Sequence, residues 1–541
     1  MRALLVYPEF PRTYWGFQHG LEAIGKHASL PPLGLVTLAA LLPTSWELRL
    51  VDTNIDTLRD ADILWSDAVL VGGMLVQEPS MHAILRRARE LGRRTVVGGP
   101  APSTSPERFG DADVIFGGEL EGRVDDLCKL IEGKGTTPSP GEPSLIPLRK
   151  DARPDVRTSP TPRFDLLKLP AYVSMSIQYS RGCPFQCEFC DIIEIFGRRP
   201  RMKTPEQVIA ELDSLRRLGW RGSVFFVDDN FIGNIREVRK LLPEVQKWQV
   251  ANGRPFQFYT EASVNLAGDE KLVADMVACG FTSVFLGIET PSPEALKETK
   301  KMQNLKLDLT VAVERLTSAG LEVMAGFIVG FDSDDASAFE AQSLFLRDAP
   351  IPLAMVGILT ALPDTALWRR LESEGRLRDH SDGDAFARTN FETRLDEEVL
   401  LHGYRGLLSE LYSHDGYLRR CEAYLAHAPI PSSRPFRRGW AQVLVRSVWH
   451  FGIRSPRRSL FWSLVTRAVK KSPRLFPWAI EKAIQGEHFL RYTDEDVLPR
   501  IDQAIAAVRA ERQTGAARTT AHPRPAVRLR LATVGREAGT A

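Results

Sequence analysis

The chain has 541 residues, 43% of them hydrophobic and 26% charged, with a formal net charge of +2 at pH 7. That length allows two or three ordinary domains, and the balanced charge excludes recognition of partners by bulk polyanionic or polycationic character. Six cysteines in such a length do not make a disulfide framework; they fit a reducing compartment, where clustered cysteines bind metal or do redox chemistry.

The N-terminal run "MRALLVYPEF" meets Pro8 and Glu9 too early for the apolar stretch of a signal peptide. No apolar run reaches the length of about 18 residues that a spanning helix needs. The expected location is cytoplasmic, at most peripheral to the inner face of a membrane.

Strand and helix signals then alternate. "ALLVYP", "ELRLVD", "DAVLVGG", "RTVVGG" and "ADVIFGG" are short apolar runs ending in Gly, Pro or Asp, with "LGLVTLAALL" and "SMHAILRRARELG" as helical stretches between them. This pattern predicts βαβ units and a parallel sheet covered on both faces. Ligands in such sheets sit at the carboxyl ends of the strands, where the glycines fall.

Residues 133–164 are rich in Pro, Gly, Ser and Thr and mark a domain boundary. A second series follows, with strand candidates "SMSIQYS", "SVFFVDD", "FQFYTEA", "SVFLGIE", "EVMAGFIVG" and "LAMVGILTA". Six β-α units over about 200 residues predict an open, partial barrel, since a closed eightfold barrel needs about 250. Beyond residue 386 the pattern is helical, and the last stretch lacks any apolar period. The predicted class is α/β: a Rossmann-like domain over 1–140, a linker over 141–168, a partial (βα)6 barrel over 169–385, a helical region over 386–510 and a disordered tail over 511–541.

The chemistry-bearing motif is "SRGCPFQCEFC", with Cys183, Cys187 and Cys190. Structural zinc takes four protein ligands, and catalytic zinc takes three plus water, usually with histidine among them. The chain has no histidine between His82 and His380, and Cys279 in "MVACGFTS" reads as a buried small hydrophobe. A 4Fe–4S cluster is the better occupant, because it is held by thiolates and three of them leave one iron open to an external ligand.

This C-x3-C-x2-C pattern at the end of the first strand of a partial barrel resembles the radical S-adenosylmethionine (SAM) superfamily, as does Phe189 before the third cysteine. The resemblance implies that the three cysteines hold the cluster, that SAM chelates the open iron, and that one electron then yields a 5′-deoxyadenosyl radical. It further implies SAM contacts from Asp228 and Asp229 in "FFVDDNFIGN", Glu261 in "FYTEAS", Glu289 in "FLGIETP", and Gly326 and Gly330 in "GFIVGFD". The family's Gly-Gly-Glu pattern is absent from the loop at Asp228, and each carboxylate has the alternative of a helix cap or a solvated strand end. Arg198, Arg199, Arg201 and Lys203 in "GRRPRMKTPEQV" read either as a solvated loop or as a contact for an anionic group.

The whole of residues 1–425 resembles cobalamin-binding radical SAM enzymes, in the subgroup of the hopanoid C-2 methylases. The strings that carry this include "PPLGLVTLAALL", "VVGGPAPST", "RGCPFQCEFCDI" and "GFTSVFLGIETPSPEALKETKK". The resemblance implies cobalamin on the glycine-lined strand ends at Gly72 and Gly73, Gly98 and Gly99, and Gly117 and Gly118. The D-x-H-x-x-G string of histidine-ligated cobalamin domains is absent, and His82 reads as an ordinary helix residue. The implied reaction is radical methylation of an unactivated carbon, with a hopanoid or other lipid, or another small molecule, as substrate between the two domains. A one-electron donor such as flavodoxin or ferredoxin would serve it. The alternatives are a cobalamin-dependent radical reaction without methyl transfer, and a non-catalytic corrinoid- and cluster-binding sensor.

Between Cys421 and Glu481 the only acidic residue is Glu422, and Trp440, Trp449, Trp462 and Trp478 fall in this stretch. Residues 434–478 therefore suit peripheral contact with an anionic membrane surface, the alternative being helices packed on the barrel with arginines outward. No nucleic-acid recognition fold is apparent.

Overall fold

The computed structural model describes residues 1–133, 142–431, 440–514 and 529–532. The first sheet contains β1 (Arg2–Tyr7), β2 (Glu47–Asp52), β3 (Ala68–Gly72), β4 (Arg94–Gly98), β5 (Val114–Phe116) and β6 (Ser144–Ile146). These run parallel in the order β6-β5-β4-β3-β1-β2. Their near-continuous apolar runs are buried because helices cover both faces: Leu33–Leu41 and Val124–Ile131 on one side, Glu78–Glu90 on the other. The strand order reverses between β3 and β1, so a crevice opens at their carboxyl ends.

The second sheet is a partial barrel. β7 (Ser174–Ile177) is followed by a short antiparallel ribbon, β8 (Ser180–Arg181) with β9 (Arg201–Met202). Then come β10 (Ser223–Phe226), β11 (Gln257–Ala262), β12 (Phe281–Glu289), β13 (Glu322–Val329) and β14 (Leu353–Ile358). Six parallel strands stand in the order β14-β13-β12-β11-β10-β7, leaving the flank between β14 and β7 open. The helix after β9, Pro205–Arg217, begins as its sequence dictates: Thr204 accepts from the Gln207 N–H, and Pro205 occupies the first turn.

C-terminal helices close the open flank. The edge strand β14 would expose unpaired carbonyls, but the Tyr404 and Tyr412 hydroxyls, on helix Glu397–Leu411 and just after it, donate to Val356 O and Ala354 O. Helix Phe476–Tyr492 is fixed to β13 by the buried Glu322 carboxylate, which pairs with Lys482 and accepts from Trp478 Nε1 at 2.6 Å.

Two segments differ from expectation. Residues 144–146 lie in the predicted linker yet form β6, since "SLI" brings three buried side chains and pairs with β5. In the predicted disordered tail, helix Leu498–Thr514 runs past residue 510, and β15 (Arg530–Leu531) pairs with β6 at the sheet edge. An edge strand tolerates charge, so Arg530 and Leu531 add on without an apolar core face. The other tail residues, 515–528 and 533–541, lie outside the described residues, as does 432–439 within the basic segment.

Candidate active site

The three cysteines lie on the loop that leaves β8. All are free thiols; Cys187 is buried, and Cys183 and Cys190 are half-buried. The loop is held from beneath by two carboxylates at the end of β10. Asp228 accepts from the N–H groups of Tyr179 and Ser180, both at 2.8 Å, and from Ser180 Oγ at 2.6 Å. Asp229 accepts from the Gly182 N–H at 2.9 Å. Gly182 has a φ of 94°, and a Cβ there would lie 2.7 Å from Gly197 O, so only glycine makes this turn into Cys183. The Cys183 N–H then donates to the same Gly197 carbonyl at 3.2 Å.

Around the sulfurs the protein places donors and one cation. Asn230 Nδ2 lies 3.8 Å from Cys183 Sγ, and Gln303 Nε2 lies 3.6 Å from Cys187 Sγ. The Lys301 ammonium sits 5.8 Å from the centre of the Phe189 ring and is held by Glu289 Oε1 at 2.5 Å. Burial pushes the Cys190 thiol well above its ordinary range, with Asp191 and Cys187 adding to it. Burial likewise raises Cys183, while Lys301 pulls in the other direction.

Among the described residues, no three His, Cys, Asp or Glu side chains form a single-ion site. A 4Fe–4S cluster puts its thiolates on three different irons, so its ligands need not converge on one point. Three clustered thiols, two amide donors to sulfur and a lysine ammonium make a donor set that suits a polynuclear cluster.

The other strand ends separate by role. Asp228 has both oxygens engaged by the cysteine loop, and burial lifts it to about 7. It supports the loop through both of its oxygens. Asp229 also braces the loop, with burial lifting it to about 6. Glu261 lies inside the barrel, and burial, with Asp229 and Asp228 nearby, lifts its carboxyl to about 8. Glu289 ends β12 with a φ of +67°, a conformation that costs a non-glycine residue of order 1–3 kcal/mol and concentrates at functional sites. Gly326 faces the barrel interior, where a Cβ would lie 3.0 Å from Phe285 Cζ. Gly330 instead makes the turn after β13, its N–H donating to Asp334 at 2.8 Å.

In the first domain the three Gly-Gly pairs meet at one edge. The Gly73 N–H donates to Gly98 O at 3.2 Å, and a Cβ on Gly99 would lie 2.8 Å from Gly73 O. The Gly118 N–H donates to Ser103 Oγ at 2.8 Å, and a Cβ on Gly117 would meet Leu148 N at 2.7 Å. The space of the missing side chains is thus taken by the loops' own packing, with Gly72 against Leu35. What these strand ends offer a ligand is bare backbone at the crevice of the strand-order reversal, which suits a broad, flat corrin ring. His82 is occupied elsewhere: it pairs with Asp111 at 2.8 Å and stacks on Phe109.

The glycine loop and the cysteine loop are joined directly. Glu119 and Glu121 follow Gly118, and both are buried. Arg181, two residues before Cys183, pairs with Glu119 at 3.0 Å and with Glu121 at 2.9 Å. Arg201 on β9 pairs with Glu119 at 2.9 Å. Sequence reasoning missed this network and Lys301 alike, because "GGELEGR" and "ETKKMQ" read as surface charge when their partners lie far along the chain. Of the basic loop, Arg201 and Lys203 are engaged, the latter with Glu211, whereas Arg198 and Arg199 are exposed. Behind the cysteine loop they line a cleft of 1140 Å³ with Lys150, Arg153, Arg157 and Lys240.

Residues 177–341 match the radical SAM superfamily, and residues 365–501 match a domain of unknown function, DUF4070. The chain is 42% identical to an uncharacterized methyltransferase of Synechocystis, over 91% of this chain and 92% of that protein. It is 36% identical to the hopanoid C-2 methylase of Rhodopseudomonas palustris, over 86% of this chain and 89% of that one. The chain belongs to the radical SAM methyltransferase family. Among solved structures, the cobalamin-dependent SAM radical enzyme OxsB shares the fold with a TM-score of 0.58 at 15% identity, over 97% of this chain and 82% of that one. The radical SAM methyltransferase TsrM of Kitasatospora setae, solved with cobalamin and a 4Fe–4S cluster, shares it with a TM-score of 0.56 at 18% identity, over 70% of this chain and 79% of that one.

Proposed function

We propose that this radical SAM methyltransferase methylates an unactivated carbon of a hopanoid or a similar lipid, with cobalamin bound in the first domain. The observation that carries this reading is the Glu119/Glu121–Arg181 network, which fastens the glycine-loop edge directly to the cysteine loop. When bound, the cluster supplies the electron that cleaves SAM, and cobalamin supplies the methyl group. The chain's part is to position and to exclude water. Cys183, Cys187 and Cys190 would hold the cluster, Asn230 and Gln303 donate to the sulfurs of Cys183 and Cys187, and Lys301 would offset thiolate charge while fixing Glu289. In this reading Glu261, Asp229 and Glu289 are the carboxylates that would meet SAM's polar groups, and burial, with Asp229 and Asp228 nearby, lifts the Glu261 carboxyl to about 8. The basic cleft behind the loop suits an acidic electron donor such as flavodoxin or ferredoxin.

Anaerobic reconstitution with iron, sulfide, cobalamin, SAM and a reductant tests the reading. Methylated lipid with two SAM consumed per product is the expected result. 5′-Deoxyadenosine without methyl transfer would favour a non-methylating radical reaction, and no 5′-deoxyadenosine at all would favour a sensor.

A lipid substrate gives the basic C-terminal segment a use. Among the described residues no helix is long and apolar enough to cross a membrane. Val445, Trp449 and Ile453 recur every fourth residue along helix Trp440–Ser447 and the wide turn Val448–Arg454, and all three are exposed. Trp462 joins them, its Nε1 donating to Gly452 O at 2.9 Å, and Arg446, Arg454 and Arg458 flank the stripe. Aromatic and aliphatic side chains ringed by arginines suit an anionic bilayer surface. The double variant Trp449→Ser/Trp462→Ser is expected to lose about tenfold or more in binding to phosphatidylglycerol vesicles in a sedimentation assay. Unchanged binding would remove this face from the membrane contact.

A further inference from the structure

The burial pattern of the barrel strands shows an open interior. In β10, β11, β12 and β13, buried residues alternate with half-buried ones. The buried set packs under the outer helices, so the half-buried set faces inward: Phe225, Tyr259, Glu261, Phe285, Met324 and Ile328. In a filled barrel the inward set would be buried as well. Phe225 and Tyr259 stack face to face at 4.6 Å with 6° between their planes, so their ring edges line the interior. Gly287 and Gly326 are paired neighbours one step above Phe285 and Met324; the Glu289–Lys301 pair lies over Gly287, where a Cβ would be 2.7 Å from Lys301 Nζ, and so marks the polar upper limit of this lining.

A residue from outside the barrel completes this lining. The segment around Trp15 is tied to the barrel's open edge, where Ser29 Oγ donates to Gly16 O at 3.0 Å and the Ser174 N–H of β7 donates to Ser29 O at 3.1 Å. Tyr14 is wedged among Tyr412, Phe489 and Tyr492, with ring centres about 5.0, 5.0 and 4.9 Å away, and its hydroxyl bonds Thr493 at 2.7 Å. The next residue turns the other way. Trp15 reaches across to Phe285 on β12, with ring centres 4.8 Å apart, yet stays 46% exposed. An indole that touches an inward-facing strand residue and still leaves half its surface free borders the open space from the flank.

We propose that Trp15 and Phe285 grip the ring system of a rigid, apolar polycyclic substrate, and that Trp15 sets selectivity for rings over straight chains. Aromatic, methionine and isoleucine side chains make the middle of this lining, with half-buried Ser223, Gln257 and Ser283 toward the N-terminal ends of the strands and Glu261 as the one carboxyl in the inward-facing set. That surface suits a flat hydrocarbon with few polar groups, since each polar group buried there without a partner would cost free energy. Trp15 and Phe285 meet at 59° between their planes, and the indole face left free beside Phe285 holds a fused ring system better than a flexible chain, which must lose conformational entropy to lie still. This inference rests on the lipid-methylating reading above.

The test is equilibrium binding of diploptene, a pentacyclic triterpene hydrocarbon, to the full-length protein in detergent, read by tryptophan fluorescence quenching and by retained ligand. Hexadecane is the straight-chain comparison. Trp15→Ala is expected to weaken diploptene binding about tenfold while changing hexadecane binding less than threefold, and Trp15→Phe to keep most of the affinity. Far-UV circular dichroism and reconstituted-cluster absorbance establish that each variant is folded. Folded Trp15→Ala that binds diploptene as tightly as wild type, or that loses both ligands equally, overturns the proposal and leaves the lipid reading standing. Wild-type protein that binds neither ligand overturns both.

Discussion

Alanine at Cys183, Cys187 or Cys190, one at a time, is expected to cut SAM cleavage by more than about a thousandfold, because the electron that cleavage requires has no other route. The iron content of the reconstituted protein and its visible absorbance should fall with the activity. The three positions are not equivalent in their surroundings, and this gives the expectation its detail. Cys187 is buried and receives an N–H from Gln303, so its loss also opens a cavity and strands that amide. Cys183 and Cys190 are half-buried, and their replacement should leave the apo fold nearly unchanged. A ranking in which Cys187→Ala is the least stable apoprotein, with all three inactive, is the expected result. Cys279 serves as the control. It is buried, and its Sγ donates to Leu242 O at 3.0 Å on the helical side of the sheet. Cys279→Ala should lose stability, by about 1–3 kcal/mol for a packing and hydrogen-bond change of this size, yet retain iron. Retained activity in any one of the three cluster variants would remove that cysteine from the ligand set.

What was legible in the sequence was what is local in it. The cysteine motif lies within one loop, and the strands of both sheets each write their own apolar run ending in glycine or an acid, so "RTVVGG" and "SVFLGIE" are readable alone. Glycine's role could be anticipated in kind and not in detail. Gly99 and Gly118, with φ of 99° and 87°, turn the chain where strands end, but the side-chain space they free is filled by Gly73 and Leu148, which no local pattern reveals. Asp228 shows the same limit. An acid at a barrel-strand end reads as a site residue, whereas its three hydrogen bonds reach back to Tyr179 and Ser180, about fifty residues earlier. Lys301 was hidden by its own neighbours: in "KETKK" a lysine reads as a solvated helix end, and only the fold carries it in to Glu289 and the thiols. β6 was obscured by the Pro- and Gly-rich composition around it, and Trp15 by lying in a segment with no periodic signal at all.

Replacing Arg181 by methionine is expected to be the most destabilising single change outside the hydrophobic core. Arg181 is 11% exposed at its side chain, and its partners Glu119 and Glu121 are 3% and 2% exposed. Removing one member of a buried ionic group leaves the others charged and desolvated, at a cost of about 3–5 kcal/mol. Arg201 still faces Glu119 in the variant, so Glu121 carries most of the loss. The pH dependence then gives a sign that a packing defect would not. In the wild-type protein burial pushes the Glu121 carboxyl up, but Arg181 outweighs it and holds the group below its ordinary 4.5. A carboxylate held low adds stability above about pH 4.5, and that contribution is lost as pH falls through the folded value. Without Arg181, burial is opposed only by the Glu121 backbone N–H and the Ser159 hydroxyl, so the carboxyl rises and the variant loses stability as pH increases past 4.5. The gap in thermal midpoint between wild type and Arg181→Met should therefore be wide at pH 8 and narrow toward pH 4.5. Adding Glu121→Gln to Arg181→Met should recover part of the loss at pH 8, since a neutral amide needs no counter-charge. A gap that stays constant across this range would mean that Arg181 acts by shape alone. The ion pairs would then no longer account for how the glycine-loop domain is held against the cysteine loop.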